Sequence, residues 1–337
     1  MALRDNVLLA DIGGTNARLA LYRDGWLGRP ARFAVADYAN PLDLFQRFLR
    51  ETTPERPVSG VILAGAGPVL DEGRRLELTN SSWTLAVDEI ARGLGVREVR
   101  LINDFAAVAW SLERLTAADL TQVGGGTTRS GAARTVLGPG TGLGVAHLLT
   151  VEGRPFVLPT EGGHATMPAA TADEAAVLDR IRARLGHVSG ERVLSGDGLV
   201  NLHRACAELG GREPHAHSGE DVTTHASAGC PDCSRAVDLF LGMLGTFAGN
   251  TALLADARGG VFIAGGIVPR VRSLLPGSAF RERFEAKGRY RSYLRSIPTF
   301  VILKPDVAFE GLAALADSWS LEREEKTYLN SRLSPAD

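Results

Sequence analysis

Short apolar runs that end in glycine-containing turns dominate the hydrophobic pattern of this chain. The first run, Val7–Ala10, is followed by Asp11, the turn Ile12–Asn16 and the alternating segment Ala17–Leu21. An apolar run of this length, a glycine turn and an alternating segment predict a strand, a tight turn and a second strand. The alternative is an ordinary hairpin that binds nothing, because Asp-x-Gly-Gly is common turn chemistry.

The segment Arg134–Leu149 (RTVLGPGTGLGVAHLL) repeats this pattern. If Asp11 is placed over Gly138, Gly13 falls on Gly140. A repeated strand–turn–strand unit predicts two similar domains. Because glycine turns expose backbone N–H groups that can bind an anion, the pair of turns predicts two loops that hold one polyphosphate.

Segments with apolar residues at helical spacing lie between the strands, for example 40–52, 172–185 and 280–296. Strands that alternate with helices predict an α/β fold. A third glycine pair, Gly265-Gly266, ends the apolar run 261–264, and α/β sheets bind ligands at the carboxyl ends of their strands. The sequence contains neither a Rossmann fingerprint nor a P-loop lysine motif, so those two nucleotide sites are not predicted.

Carboxylates follow two of the predicted strands. Asp11 is unsuited to binding phosphate by itself, because like charges repel, but it suits a phosphate site if a cation such as Mg²⁺ lies between them. Asn103-Asp104 lies between a strand and a helix. One interpretation is a helix cap, for which both residue types are favoured. The other is a general base, Asp104, held by the neighbouring amide.

Glu161, His164 and Glu191 are polar residues in glycine-flanked loops. Carboxylates and an imidazole suit a polyol, whose hydroxyl groups need both acceptors and donors. Metal ligation is a weaker alternative, because Glu161 and His164 are separated by two glycines in a loop instead of sharing a helix face. An ordinary surface loop is the third alternative.

Composition narrows the class of protein. The 337 residues exceed the usual size of one core, and their formal net charge of −2 argues against a nucleic-acid or membrane surface. No apolar stretch is predicted to reach the roughly 18 residues of a membrane span, and Met1–Asn6 is too short for a signal peptide. Three cysteines, an odd number, fit a reducing compartment. These features predict a cytoplasmic protein.

Two of the cysteines form a C-x-x-C pair, Cys230 and Cys233, next to a polar segment, 210–229, that predicts a mobile loop. A structural zinc would need two more ligands, for which His215, His217 and His225 are available. A redox pair would need a thioredoxin-like strand context, which the sequence lacks. Two free thiols in a flexible loop are the favoured interpretation.

A set of longer motifs runs nearly end to end, and their order is highly specific. The motifs are LADIGGTNARLAL, LTNSSW, LINDFAA, LGPGTGLGVA, PTEGGH, ERVLSG-x-GL and ARGGVFIAGGIVPR. The sequence thereby resembles the bacterial glucokinases, in the hexose-kinase branch of the actin-like ATPase superfamily. The resemblance implies an α/β fold with two ribonuclease-H-like domains and an active-site cleft between them. The small domain would be 1–115 plus about 305–325, the large domain 116–304, and 326–337 a frayed charged tail.

The resemblance also implies an activity, the phosphorylation of D-glucose to glucose 6-phosphate by ATP with Mg²⁺, and a homodimer. Asp104 would be the catalytic base and would also contact the sugar. The remaining implied sugar ligands are Asn80, Asn103, Glu161, His164 and Glu191. The implied nucleotide ligands are Asp11, Gly13, Gly14, Thr15, Asn16, Gly140, Thr141, Gly142, Gly265 and Gly266. Asp11 would hold Mg²⁺ through water.

Asp197 stands where the family pattern S-G-P-G-L has proline, which puts the local loop geometry in question. The cysteine-rich zinc motif of the related sugar-kinase and repressor group is missing after His164, and Cys230 and Cys233 lie too far along the chain to replace it. Two alternative functions stay open at this point. One is a kinase for another hexose, and the other is a non-catalytic sugar-sensing protein of the same fold.

Overall fold

The computed structural model describes residues 6–79 and 81–319. The chain divides into two compact units, a first unit within Met1–Leu115 and Pro305–Asp337 and a second unit of Thr116–Lys304. Some predictions lie outside the described residues: the sugar-binding role of Asn80, the small domain beyond 319 and the frayed tail 326–337.

The strands of the first unit come from short apolar or alternating segments. They are β1 (Asn6–Ile12), β2 (Asn16–Arg23), β3 (Trp26–Leu27), β4 (Ala31–Ala34), β5 (Val58–Gly65), β6 (Val69–Leu70), β7 (Arg75–Glu77), β8 (Thr84–Ala86) and β9 (Glu98–Asn103). The main sheet has the order β3-β2-β1-β5-β9, with β4 also paired to β2, while β6, β7 and β8 form a small separate sheet. The predicted hairpin is confirmed, because β1 and β2 are antiparallel.

Helices cover the main sheet of the first unit. They are α1 (Pro41–Thr52), α2 (Val87–Leu94) and α3 (Asp104–Ser111), and residues 307–319 are also helical. The start of α1 follows from its sequence: Asn40 accepts a hydrogen bond from the N–H of Asp43, and proline occupies the first turn. The core beneath contains apolar side chains such as Leu8, Leu63 and Phe45, all fully buried.

The second unit repeats this arrangement. Its strands are β10 (Leu120–Gln122), β11 (Arg134–Pro139), β12 (Leu143–Val151), β13 (Arg154–Thr160), β14 (Gly260–Ile263) and β15 (Thr299–Ile302), in the sheet order β10-β15-β14-β11-β12-β13. In both units an antiparallel hairpin is followed across the sheet by two parallel strands, since β1 pairs with β5 and β11 with β14. The predicted repeat and the α/β fold class are confirmed.

The helices of the second unit pack around one core. They are α4 (Ala172–Leu185), α5 (Gly196–Leu209), α6 (Gly219–Ser227), α7 (Pro231–Leu254), α8 (Val268–Val271), α9 (Phe280–Glu285) and α10 (Arg291–Arg295). Among the described helices, α7 alone is long and apolar enough to cross a membrane, which qualifies the prediction that no apolar stretch reaches that length. Most of α7 is buried by its neighbours, as expected for a core helix.

Two predictions for the second unit are wrong. The segment 210–229 contains the helix α6, which begins at a capping box: Ser218 accepts from the N–H of Asp221, and the Asp221 carboxylate accepts from the N–H of Ser218. The predicted helix 280–296 is two short helices, α9 and α10. They are separated where Gly288 adopts a left-handed conformation with φ of 55°.

Candidate active site

Three neighbouring parallel strands of the first unit, β1, β5 and β9, have their carboxyl ends on the same side of the sheet. Ile12 of β1 is in register with Gly65 of β5, and Gly65 is in register with Asn103 of β9. Because neighbouring strands are about 4.8 Å apart, the β1 turn and the start of α3 are separated by about 10 Å along this edge. The first unit therefore presents its glycine turn and Asp104 on the same side of the sheet.

Asn103 caps helix α3. Its side-chain oxygen accepts hydrogen bonds from the N–H groups of Phe105 at 2.8 Å and Ala106 at 3.3 Å, and its amide nitrogen donates to the carbonyl of Gly67 at 3.3 Å. The capping interpretation of Asn103 is thus confirmed. Any sugar contact by Asn103 has to use the amide N–H groups, because the oxygen already serves the helix.

Asp104 is the first residue of α3 and is half-buried. One carboxylate oxygen accepts from the N–H of Phe105 at 2.9 Å. The N-terminus of a helix stabilises a negative charge, because its N–H dipoles point toward the carboxylate. The helix start therefore holds Asp104 as an oriented acceptor, as a general base requires.

The turn between β1 and β2 uses only its first N–H internally. Gly13 donates to the carbonyl of Asn16 at 2.9 Å, so its N–H does not point to a ligand. Within the described chain, the N–H groups of Gly14 and Thr15 donate to no backbone or side-chain acceptor, and Thr15 is exposed. Among the four predicted phosphate-binding residues of this turn, Gly14 and Thr15 have the available donors.

Asp11 is buried beside this turn and forms an ion pair with Arg18, which also pairs with Asp306. Burial raises the pKa of the Asp11 carboxyl, and the attraction of Arg18 opposes the rise. The Oδ2 atom of Asp11 is occupied by Arg18, whereas Oδ1 accepts no hydrogen bond from the described residues. One oxygen remains for a water bound to a metal ion, so the arrangement fits the predicted water-mediated role better than direct ligation.

In the second unit, the turn between β11 and β12 is one residue shorter but is also closed by the N–H of its first glycine. Gly140 donates to the carbonyl of Gly142 at 2.8 Å, and the carbonyl of Gly140 accepts from the N–H of Gly196 at 2.9 Å. The N–H groups of Thr141 and Gly142 have no acceptor in the described part of the chain. In both turns, therefore, the first N–H closes the turn and the next two are available to an anion.

Glu191 is tied to this turn. Its Oε2 atom accepts from the N–H of Leu143 at 2.9 Å. A Cβ atom added to Gly142 would lie 2.5 Å from the same oxygen, so glycine is required for the carboxylate to approach this closely. The backbone N–H of Glu191 in turn donates to the carbonyl of Gly163 at 2.9 Å. A predicted sugar ligand and a predicted phosphate turn are thus parts of one hydrogen-bonded structure.

His164 lies between the two predicted carboxylates of this unit. Its Nε2 atom is 3.9 Å from Oε2 of Glu161, and its Nδ1 atom is 3.9 Å from Oε1 of Glu191. These separations are too long for direct hydrogen bonds. The side chains of His164 and Glu161 are 60% and 72% exposed. All three groups therefore keep hydrogen-bonding capacity toward the solvent side.

Gly265-Gly266 follows β14 at the same sheet edge as the Gly140 turn. Gly265 has a φ of 95°, and an added Cβ would lie 2.3 Å from the carbonyl oxygen of Pro139. An added Cβ on Gly266 would meet no atom within 4 Å. Gly265 therefore serves the packing of two strand ends, whereas Gly266 borders open space, where a ligand can approach.

Asp197 lies at the start of helix α5. It is an exposed residue in the first turn of α5, whose N-cap Ser195 accepts from the N–H of Gly198 at 3.0 Å. A negative charge in a first helical turn is favourable. The Asp197 carboxylate, at the position where the family pattern has proline, thus adds a favourable negative charge to the first turn of α5.

Two partners were missed by the sequence analysis: Arg18, which neutralises Asp11, and the N–H of Leu143, which holds Glu191. The sequence could have indicated Arg18, because it is the single charged residue in the alternating segment Ala17–Leu21. No sequence signal indicated Leu143, since its backbone contact depends on the fold.

Comparisons with known proteins cover nearly all of the chain. The family model described as Glucokinase matches residues 8–319. A glucokinase of Paramagnetospirillum magneticum is 46% identical over 312 residues, 92% of this chain and 97% of the relative. One from Klebsiella pneumoniae is 41% identical over 310 residues, 91% of this chain and 95% of the relative. The crystal structure of a glucokinase from an Antarctic psychrotroph superimposes with a TM-score of 0.86 at 33% identity, covering 93% of this chain and 99% of that one.

Proposed function

This chain belongs to the glucokinase family, and we propose that Asp104 is the base with which it phosphorylates glucose. The enzyme transfers a phosphoryl group from ATP to glucose and yields glucose 6-phosphate. The observation that carries the proposed site is that each unit ends its central parallel strands beside a glycine turn with two available N–H groups. In the first unit, Asp104 directly follows β9 and so lies on the same side of the sheet as the glycine turn.

Phosphoryl transfer depends on positioning and charge stabilisation more than on covalent help from the protein. The N–H groups of Gly14 and Thr15 in one unit and of Thr141 and Gly142 in the other support the binding of phosphate oxygens. Preorganised backbone dipoles stabilise developing charge without reorganising during the reaction. Gly266 borders space that suits the rest of the nucleotide.

Asp104 accepts the proton of the attacking sugar hydroxyl in this proposal. It is fixed at the start of α3 by the N–H of Phe105, so little rearrangement is needed before it receives the proton. Asn103 combines the two roles predicted for it. It caps α3 and thereby positions Asp104, and it contacts sugar only through its amide N–H groups.

Glu161, His164 and Glu191 are the proposed ligands of the remaining sugar hydroxyls. Oε2 of Glu191 accepts a hydrogen bond from the N–H of Leu143. Oε1, which is the oxygen nearer His164, is therefore the one proposed to bind a sugar hydroxyl. Because His164 is 3.9 Å from each carboxylate, a hydroxyl group can bond to the imidazole and to a carboxylate without displacing an existing hydrogen bond. A sugar that lacks a hydroxyl at a fully buried contact would lose about 1–3 kcal/mol of binding free energy.

Magnesium is the proposed metal. Asp11 would hold it through water on Oδ1, while Arg18 keeps the carboxylate oriented. When bound, Mg²⁺ neutralises phosphate charge and orients the phosphates for transfer.

The cellular context stays a proposal. We expect a cytoplasmic homodimer that acts in the first step of glycolysis, and the three free cysteines fit a reducing compartment. Sedimentation of the purified protein at several concentrations tests the dimer.

The function is tested by a coupled assay over a panel of sugars that includes glucose, mannose and N-acetylglucosamine. We expect ATP- and Mg²⁺-dependent turnover with glucose as the best substrate. A better rate with another sugar would identify a different hexose kinase. Glucose binding without any turnover would identify a sugar sensor and contradict the proposed role of Asp104.

A further inference from the structure

A cluster of imidazole and thiol groups lies in the second unit, and none of its members is among the residues proposed above to bind glucose and ATP. It consists of His203, His215, Cys230 and Cys233, and we call it the His/Cys cluster. The ligand atoms of His203, His215 and Cys233 all lie within 4.8 Å of one another. The Nε2 atom of His215 is 3.6 Å from the sulfur of Cys230 and 3.8 Å from that of Cys233.

The burial of His203 is not explained by core packing alone. It is fully buried on α5, and neither of its ring nitrogens has a hydrogen-bond partner among the described residues. A buried polar group without a partner costs about 1–3 kcal/mol, and native proteins rarely retain one without a reason. The ring of His203 packs edge-on against His215 with a centroid distance of 4.7 Å, so it faces the cluster.

The fold brings the four side chains together from three segments. His203 lies on α5, and His215 precedes α6. Cys230 is the N-cap of α7, and Cys233 lies in the first turn of that helix. The capping box at Ser218 fixes the start of α6 and thereby limits the freedom of the segment that carries His215.

The two separations between His215 and the sulfur atoms match tetrahedral coordination of zinc. Cys230 lies outside the group whose ligand atoms are all within 4.8 Å of one another, so its side chain has to move closer to complete the site when the ion binds. With Zn–S bonds of about 2.3 Å and Zn–N bonds of about 2.0–2.1 Å, the sulfur and nitrogen ligands of a tetrahedral site are roughly 3.6 Å apart. The two N–S distances of 3.6 Å and 3.8 Å are close to this value. Ordinary packing of an imidazole against two thiols does not require either separation.

We propose that the His/Cys cluster is a structural zinc site in which Cys230, Cys233, His215 and His203 ligate one ion. Two thiolates and two imidazoles are a donor set typical of structural zinc, and they leave no coordination position for a substrate. Binding releases the two thiol protons to solvent, and the resulting site is neutral. The ion fixes segment 210–230 to α5 and α7.

The surroundings suit a neutral metal centre. Asp232, between the two cysteines, is buried but is neutralised by Arg212 through two hydrogen bonds of 2.6 Å and 2.7 Å. Because Asp232 and Arg212 neutralise each other, the pair adds no net charge beside the metal site. His225 packs beside His215 with a centroid distance of 5.2 Å.

The first experiment measures metal content in the full chain, purified without a histidine tag and without chelators. Mass spectrometry of the metals should find about one zinc per chain. Replacement by Co²⁺ should give the visible absorption of a tetrahedral ion together with a thiolate charge-transfer band. The exposed ligand variant His215→Ala should bind zinc at least roughly tenfold more weakly, as measured against a chromogenic chelator.

Matched controls separate ligation from general damage. His217→Ala removes another exposed histidine of the same segment, and Cys206→Ala removes the third cysteine, which is buried nearby. Both should keep one zinc per chain, whereas Cys233→Ser should lose it. Circular dichroism confirms that each variant is folded. Because the readout is metal content, failure of this proposal is distinguishable from failure of the proposed kinase site.

Three results would overturn the proposal. The first is a folded, reduced protein with no bound zinc after exposure to the ion. The second is equal loss of zinc in His215→Ala and His217→Ala. The third is a disulfide between Cys230 and Cys233 in protein purified without oxidant, because oxidised sulfur cannot ligate the ion.

Discussion

Oε2 of Glu191 and the backbone N–H of Leu143 form a hydrogen bond of 2.9 Å, directly after the Gly140–Gly142 turn. A carboxylate proposed to bind sugar is therefore anchored to the strand that begins where a phosphate turn ends. A change in the turn should therefore reach the sugar-binding group.

Gly142→Ala should destabilise the second unit, because the added Cβ would lie 2.5 Å from Oε2 of Glu191. Because the clash is with the end of a flexible side chain, Glu191 can swing aside, and we expect a loss of about 1 kcal/mol in the free energy of unfolding from the hydrogen bond to Leu143 that is given up. Glucose affinity should fall as well. The matched control is Gly140→Ala, whose Cβ meets no atom within 4 Å. Denaturant unfolding of both variants without ligand checks this, and equal stabilities would contradict it.

His164→Ala should weaken glucose binding while leaving nucleotide affinity nearly unchanged. The side chain is 60% exposed and makes no direct hydrogen bond to Glu161 or Glu191, so its removal should cost little stability. Loss of a hydrogen bond to bound sugar predicts roughly a tenfold increase in the dissociation constant for glucose. Calorimetry with each ligand makes the measurement. Unchanged glucose affinity would remove His164 from the proposed site.

Arg18→Met should destabilise the first unit, because it leaves the buried Asp11 carboxylate without its cation. Losing one partner of a buried pair costs about 3–5 kcal/mol, and we expect about 2–3 kcal/mol here because Arg18 is partly exposed. Arg32 also contacts Asp306, but its side chain is 70% exposed. Arg32→Ala should therefore change stability by less than about 1 kcal/mol. The prediction fails if thermal unfolding ranks the two variants alike.

Tyr22 should make the stability of the first unit depend on alkaline pH. Its hydroxyl donates to Asp317 and accepts from Arg114 at 3.3 Å, and burial together with Asp317 raises the pKa of Tyr22 to about 12. An unfolded tyrosine ionises near pH 10, so the unfolded chain loses this proton first. Stability from Tyr22 is complete below about pH 10 and declines as the pH rises toward 12.

Comparison with Tyr22→Phe isolates that contribution. The variant should be less stable than the natural chain by about 1 kcal/mol near neutral pH. The difference between the two proteins should shrink between pH 10 and pH 12. A constant difference over this interval would show that the hydroxyl does not titrate as described.

The sequence predicted the fold well where a local pattern determines structure. The apolar runs before Gly13 and Gly140 became the central strands of two similar sheets, because a glycine turn between apolar segments permits few alternatives. The break at Gly288 was missed, because an amphipathic pattern continues on both sides of it. The helix α6 was missed because its nine residues bury only Val222 and so carry no apolar repeat, although the Ser218–Asp221 capping box marks its start.

The sequence proposes residues for the candidate site but does not supply their contacts. The preference of asparagine for helix starts predicted the cap formed by Asn103, yet whether that amide also serves a sugar depends on geometry. The bond between Glu191 and Leu143 joins positions far apart in the sequence, so no spacing rule reveals it. His203 has the pattern of a core residue on α5, and its lack of partners emerges only when the surrounding elements are in place.

Catalysis as proposed here depends on Asp104, which receives the proton of the attacking sugar hydroxyl. The most direct test is the single-turnover rate of phosphoryl transfer in Asp104→Asn, measured beside its glucose affinity. Asparagine retains the size of the side chain and an acceptor for the Phe105 N–H, so folding and glucose binding should persist. We predict a transfer rate reduced by about 10²–10⁴-fold with glucose affinity changed by less than about tenfold. A near-normal transfer rate would show that Asp104 is not the base.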